Sequence, residues 1–119
     1  CHICYGDFAS IYPKLLELPV DQLDLEFANR AYHLLDLIRK HKFDKEIAFG
    51  VLDVHSDDIE TKDQIKEALR TALQVFPAEK LYVDPDCGLK TRTPEQAEAK
   101  LANMVAAVRE IKQESGLTR

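Results

Sequence analysis

The stretch Ile47–Val54 reads IAFGVLDV, and it holds the longest apolar run in the chain, Ile47 to Leu52. A solvent-facing strand would alternate apolar and polar residues, whereas near-continuous apolar character marks a strand covered on both faces, as in a parallel sheet flanked by helices. Further on, Ile65, Leu69, Ala72, Leu73 and Phe76 recur at helical spacing, so the strand leads into a helix over Lys62–Phe76. Thr61 precedes that helix and Asp63 stands in its first turn, both favourable start signals.

The same unit repeats on either side. Shorter apolar runs occupy His2–Tyr5, Leu23–Glu26 and Lys80–Asp84. Helix-like segments follow them at Phe8–Leu18, Ala28–His41 and Glu95–Lys112. In the second segment Ala31, Leu34, Leu35 and Ile38 form one apolar stripe, and Thr93-Pro94-Glu95 opens the last with an N-cap and a proline in the first turn. Four strand–helix units define an α/β chain with a parallel sheet. Periodicity alone fits either half of an eight-fold (β/α)8 barrel or a small open sheet. In both, chemistry belongs at the C-terminal ends of the strands.

At 119 residues the chain is one domain at most, well short of the roughly 250 residues of a complete barrel. Its 45% hydrophobic and 31% charged residues are ordinary globular usage. A net charge of −5 opposes binding to nucleic acid or an anionic membrane, which needs a basic footprint. No apolar run approaches the length of a membrane span, and the reading is cytoplasmic. Three cysteines at wide spacing do not make a disulfide framework. A chain beginning at Cys1 reads as processed or as part of something larger.

Placed on this scheme, the polar residues gather at strand ends. His2 and Cys4 stand two apart on the first strand, Glu26 closes the second, Asp53 and His55 end the third, and Asp86 and Cys87 follow the fourth. Two cysteines, a histidine and a glutamate are all ligand types that zinc accepts, and a thiolate-rich site suits activation of another thiol. Taken by type alone, each residue has a plainer account: core or surface positions for His2 and Cys4, a helix N-terminus for Glu26, a turn for Cys87, and a lead-in to a capped helix for His55. His33 and His41 read as solvated helix residues.

In combination, His2-Ile3-Cys4-Tyr5, Leu25-Glu26, Val51-Leu52-Asp53-Val54-His55-Ser56 and Val83-Asp84-Pro85-Asp86-Cys87-Gly88-Leu89-Lys90-Thr91-Arg92 resemble the catalytic C-terminal domain of cobalamin-independent methionine synthases. The similarity extends to Leu101-Ala102-Asn103-Met104-Val105 in the last helix. It implies that residues 1–119 are a partial TIM-barrel catalytic domain, the last half of the barrel. His2, Cys4, Glu26 and Cys87 are then implied zinc ligands, and homocysteine the methyl acceptor.

The resemblance further implies that His55 assists proton delivery to a departing folate nitrogen. Asp53 and Asp86 are candidates to orient it or a ligand. The implied donor is methyltetrahydrofolate, but Tyr5-Gly6-Asp7-Phe8 resembles short, single-domain relatives, which brings in a methylcorrinoid protein as the other donor. Two other readings accompany it: a related zinc enzyme acting on coenzyme M, whose sites lack this glutamate, and a non-catalytic zinc-binding half barrel. The remaining barrel half would come from the same parent chain or a partner. Alone, four units would expose two strand edges and favour self-association.

Overall fold

The computed structural model describes residues 1–3, 8–28, 34–40 and 43–117, with the side chains of residues 8, 9 and 34 also outside the description. Four strands, β1 (His2–Ile3), β2 (Gln22–Glu26), β3 (Glu46–Gly50) and β4 (Leu81–Asp84), form one sheet. Four helices follow them in turn: α1 (Phe8–Leu15), α2 (Leu34–Lys40), α3 (Lys62–Leu73) and α4 (Pro94–Glu114). Every neighbouring pair of strands is parallel.

The order β1-β2-β3-β4 decides what periodicity left open. In a doubly wound sheet the order reverses at a switch point and helices cover both faces. Here each crossover steps to the next strand in the same direction, so right-handed connections put every helix on one face. That is the arrangement of consecutive units in a (β/α)8 barrel.

Register then sorts the residues by face. Leu23 and Leu25 on β2 and Ile47 and Phe49 on β3 have no exposed surface and meet the helices, among them Ile65, Leu69 and Ala72 of α3. Phe27 stacks at a tilt on Phe49 with ring centroids 4.3 Å apart, and Phe76 adds a third ring. The alternate positions form the opposite, concave face: His2, Asp24, Ala48 and Tyr82 in one cross-strand row, Glu26, Gly50 and Asp84 in the next. One face is hydrocarbon and the other carries the chemistry.

Helix boundaries follow their capping residues. Thr61 Oγ1 accepts from Gln64 N at 3.1 Å while Gln64 Oε1 accepts from Thr61 N at 2.9 Å, a reciprocal capping box. Thr93 and Gln96 repeat it at α4, with Pro94 in the first turn. Gly116, at φ 66°, stops α4, where Leu117 N reaches back to Lys112 O at 2.8 Å. Several expected bounds are trimmed: β3 ends at Gly50 rather than Val54, α1 at Leu15 rather than Leu18 and α3 at Leu73 rather than Phe76, and β1 is described only to Ile3. The proposed extensions through Cys4-Tyr5 and the start of the second helix lie outside the described residues.

Candidate functional site

His2 lies on one edge strand of the sheet and Cys87 just beyond the other. In a flat sheet those strands would be three spacings of about 4.8 Å apart, about 14 Å in all. The Cys87 side chain nevertheless lies close enough to the His2 ring to be the foremost influence on it. The sheet therefore curls about its concave face, and the strand ends converge as in a closing barrel. Cys87 raises His2 above the usual imidazole range; partial burial opposes the shift, and the Asp24 carboxylate adds to it.

Asp24 is directly opposite His2 in the parallel register, and its Oδ2 lies 2.5 Å from His2 Nδ1. Asp84 shares the concave face and is pushed up to about 7, first by burial and then by the charge of Asp24, with His2 acting in the opposite direction. Glu26, two residues beyond Asp24, is completely buried at the end of β2. Cys87 is a half-buried thiol that forms no disulfide.

Asp86 ties backbone together. Only 1% exposed, it accepts hydrogen bonds through Oδ1 from Phe27 N and Ala28 N, each at 3.2 Å, while its own N–H donates to Leu52 O at 2.9 Å. It thereby ties the loop that leaves Glu26 to the ends of β3 and β4. Gly50 makes room for it: a Cβ there would stand 2.4 Å from Asp86 Oδ1, 3.0 Å from Asp86 Cα and 3.1 Å from Leu25 O. Gly50→Ala is expected to destabilise the protein by about 1–3 kcal/mol through overpacking, read as a lower denaturation midpoint. An unchanged midpoint would show that Asp86 moves aside freely.

His55 is exposed on the loop between β3 and α3, at the rim of the same strand-end surface. Its N–H donates to Asp53 Oδ1 at 2.9 Å, so Asp53 shapes the turn that carries it. That loop is braced from below by Lys100 of α4, which has no exposed surface. Its Nζ donates to Asp58 O and Glu60 Oε1, both at 2.6 Å, and to Asp53 O at 3.1 Å. Glu60 Oε2 in turn accepts from Asp53 N at 2.7 Å, and Asn103 Nδ2 donates to Glu60 O at 2.8 Å. Thr91 bonds to Val54 O, and Arg92 pairs with Asp57.

His2 and Cys87 are thus brought together, Glu26 is buried at the end of β2, and Asp53 and Asp86 serve the loops around them. Cys4 falls outside the described residues. Among the described residues, no three His, Cys, Asp or Glu side chains cluster tightly enough to enclose a metal. The donor types still suit zinc, since one imidazole, one thiol and one carboxylate stand near the same strand ends and the thiol lies near the imidazole. Sequence reasoning missed Asp24, Asp84, Glu60 and Lys100. The alternation Leu23-Asp24-Leu25-Glu26 carried a signal for the first, a polar face opposite the helices. Lys100 carried none, because a lysine in an amphipathic helix reads as solvated.

No helix among the described residues is long and apolar enough to cross a membrane. The chain is 41% identical over 113 residues to a methionine synthase of Saccharolobus islandicus, covering 95% of this chain and 34% of that protein. It is 40% identical over 111 residues to a 5-methyltetrahydropteroyltriglutamate–homocysteine methyltransferase of Mycolicibacterium paratuberculosis, covering 93% of this chain and 15% of that one. The chain therefore spans about a third or less of these curated relatives.

Among solved structures it superposes on a B12-independent methionine synthase from Shewanella sp. W3-18-1 in complex with selenomethionine. The TM-score is 0.79 at 30% identity, over 99% of this chain and 39% of that one. A Listeria monocytogenes protein at 22% identity, TM-score 0.61, shares the fold. Residues 1–110 match the family model for the cobalamin-independent synthase catalytic domain. With its sequential parallel strands and converging strand ends, the chain belongs to the family of cobalamin-independent methionine synthase catalytic domains and forms about four βα units of its barrel.

Proposed function

We propose that this chain supplies the zinc-holding half of a methyltransferase that moves a methyl group onto the thiol of homocysteine, making methionine. The observation that carries the reading is the meeting of His2 and Cys87 across the arc of the sheet, with Glu26 buried at a neighbouring strand end, in a chain of this family. His2, Cys4, Glu26 and Cys87 would hold the metal. Zinc bound there would keep a substrate thiol deprotonated at neutral pH while leaving it nucleophilic.

The chain's own residues do the rest. The Cys87 and His2 side chains present sulfur and nitrogen donors from opposite edges of the sheet, and Asp86 fixes the loop that follows Glu26. His55 is assigned proton delivery to the nitrogen that loses the methyl group, from a loop held by Lys100 and Glu60. Contacts to the amino and carboxylate groups of homocysteine, and most of a folate site, are assigned to the other barrel half.

That half would close the barrel against the free sides of both β1 and β4, and the β4 side is the apolar one. There an apolar groove runs between the strand and α4, lined by Leu81, Val83, Met104 and Val108. The whole enzyme would work in the cytoplasm. Glu26 favours homocysteine over coenzyme M as the thiol, because the resembling coenzyme M sites lack this carboxylate.

The test is methyl transfer by the assembled barrel, this chain together with its other four βα units. Homocysteine and coenzyme M are offered in turn, with methyltetrahydrofolate and then methylcobalamin as donor. Methionine formed with one of the donors is the expected result. Methylation of coenzyme M alone, or of neither thiol, would overturn the reading.

A further inference from the structure

Asp24 is placed by backbone pairing. It lies directly across from His2 in the β1–β2 register, so its side chain emerges on the same face of the sheet whatever the loops do. Its Oδ2 stands 2.5 Å from His2 Nδ1, and its side chain is only 20% exposed against 36% for the histidine. The next position along that row, Ala48, offers no polar group. With Nδ1 engaged by Asp24, the ring presents Nε2 as its second nitrogen.

We propose that Asp24 is a positioning residue that holds His2 as the Nδ1–H tautomer and aims Nε2 at the metal. A neutral imidazole binds a metal through one nitrogen, and a carboxylate on the other fixes the tautomer and raises the basicity of the ligand. This rests on the zinc reading above, and its consequence is specific: zinc affinity depends on a residue that never touches the metal. Asp24→Leu removes the acceptor, whereas Asp24→Asn keeps a neutral oxygen in its place.

The experiment combines zinc affinity, by chelator competition, with nitrogen NMR of the His2 ring in the metal-free assembled barrel at pH 8. Wild type should show the Nδ1–H form. Asp24→Leu should shift the ring toward Nε2–H and weaken zinc by about 10–100-fold, with Asp24→Asn intermediate. If Asp24→Leu does not fold, the asparagine variant decides, since it too should bind zinc more weakly than wild type.

Wild-type zinc affinity in both variants with an unchanged His2 tautomer would overturn the inference. Should wild type itself take up no zinc, the metal reading falls and the aiming of Nε2 falls with it. The NMR comparison would then still show whether Asp24 sets the tautomer.

Discussion

Replacing Lys100 with methionine is expected to destabilise the protein by about 3 kcal/mol, the lower end of the range for breaking a buried ion pair. Lys100 is fully buried and donates to two backbone carbonyls and the Glu60 carboxylate. Methionine matches its length but donates nothing. Asp58 O and Asp53 O would lose a charged donor, and Glu60 would keep its negative charge with a side chain only 19% exposed. That residual exposure lets water relieve part of the cost, which places the effect at the lower end.

The same change loosens the loop that carries His55, so methyl transfer should fall more than zinc content. Adding Glu60→Gln to Lys100→Met should recover part of the stability, because the stranded charge is gone. Chemical denaturation of the assembled barrel reads both effects. A loss below about 1 kcal/mol would mean that Lys100 is exchangeable with solvent rather than a brace.

The second large effect is expected at the ligands. Cys87→Ser and His2→Ala each delete one of four proposed donors. Structural zinc sites bind with about 10–16 kcal/mol in all, so one ligand in four carries about 2.5–4 kcal/mol, about 60- to 700-fold in affinity. Both variants should fold, since Cys87 is only half buried and His2 is exposed, and neither belongs to the apolar core. Zinc content after dialysis should fall sharply and methyl transfer with it. Full zinc retention by folded Cys87→Ser would remove Cys87 from the ligand set.

The repeating units were legible because each rests on local physics. Buried strands need continuous apolar residues, α3 and α4 need one apolar stripe, and Thr61 and Thr93 begin helices by accepting from Gln64 N and Gln96 N. Strand order was not legible, since it depends on which edges pair after the crossovers are made. The residue types at the strand ends and the family resemblance together pointed to His2, Glu26 and Cys87, and the fold set His2 beside Cys87. What stayed hidden were contacts made across distance in sequence: Asp24 against His2, 22 positions apart, and Lys100 against Glu60, 40 apart. Asp24 was visible only as the polar half of an alternation, and Lys100 only once α4 lay over the loop before α3.

Zinc K-edge X-ray absorption of the assembled barrel tests the central claim most directly. The account expects one zinc per barrel with two sulfur neighbours near ~2.3 Å, from Cys4 and Cys87, and two lighter neighbours near ~2.0–2.2 Å, from His2 and Glu26. A shell of nitrogen and oxygen alone, or a protein that retains no zinc, would contradict it.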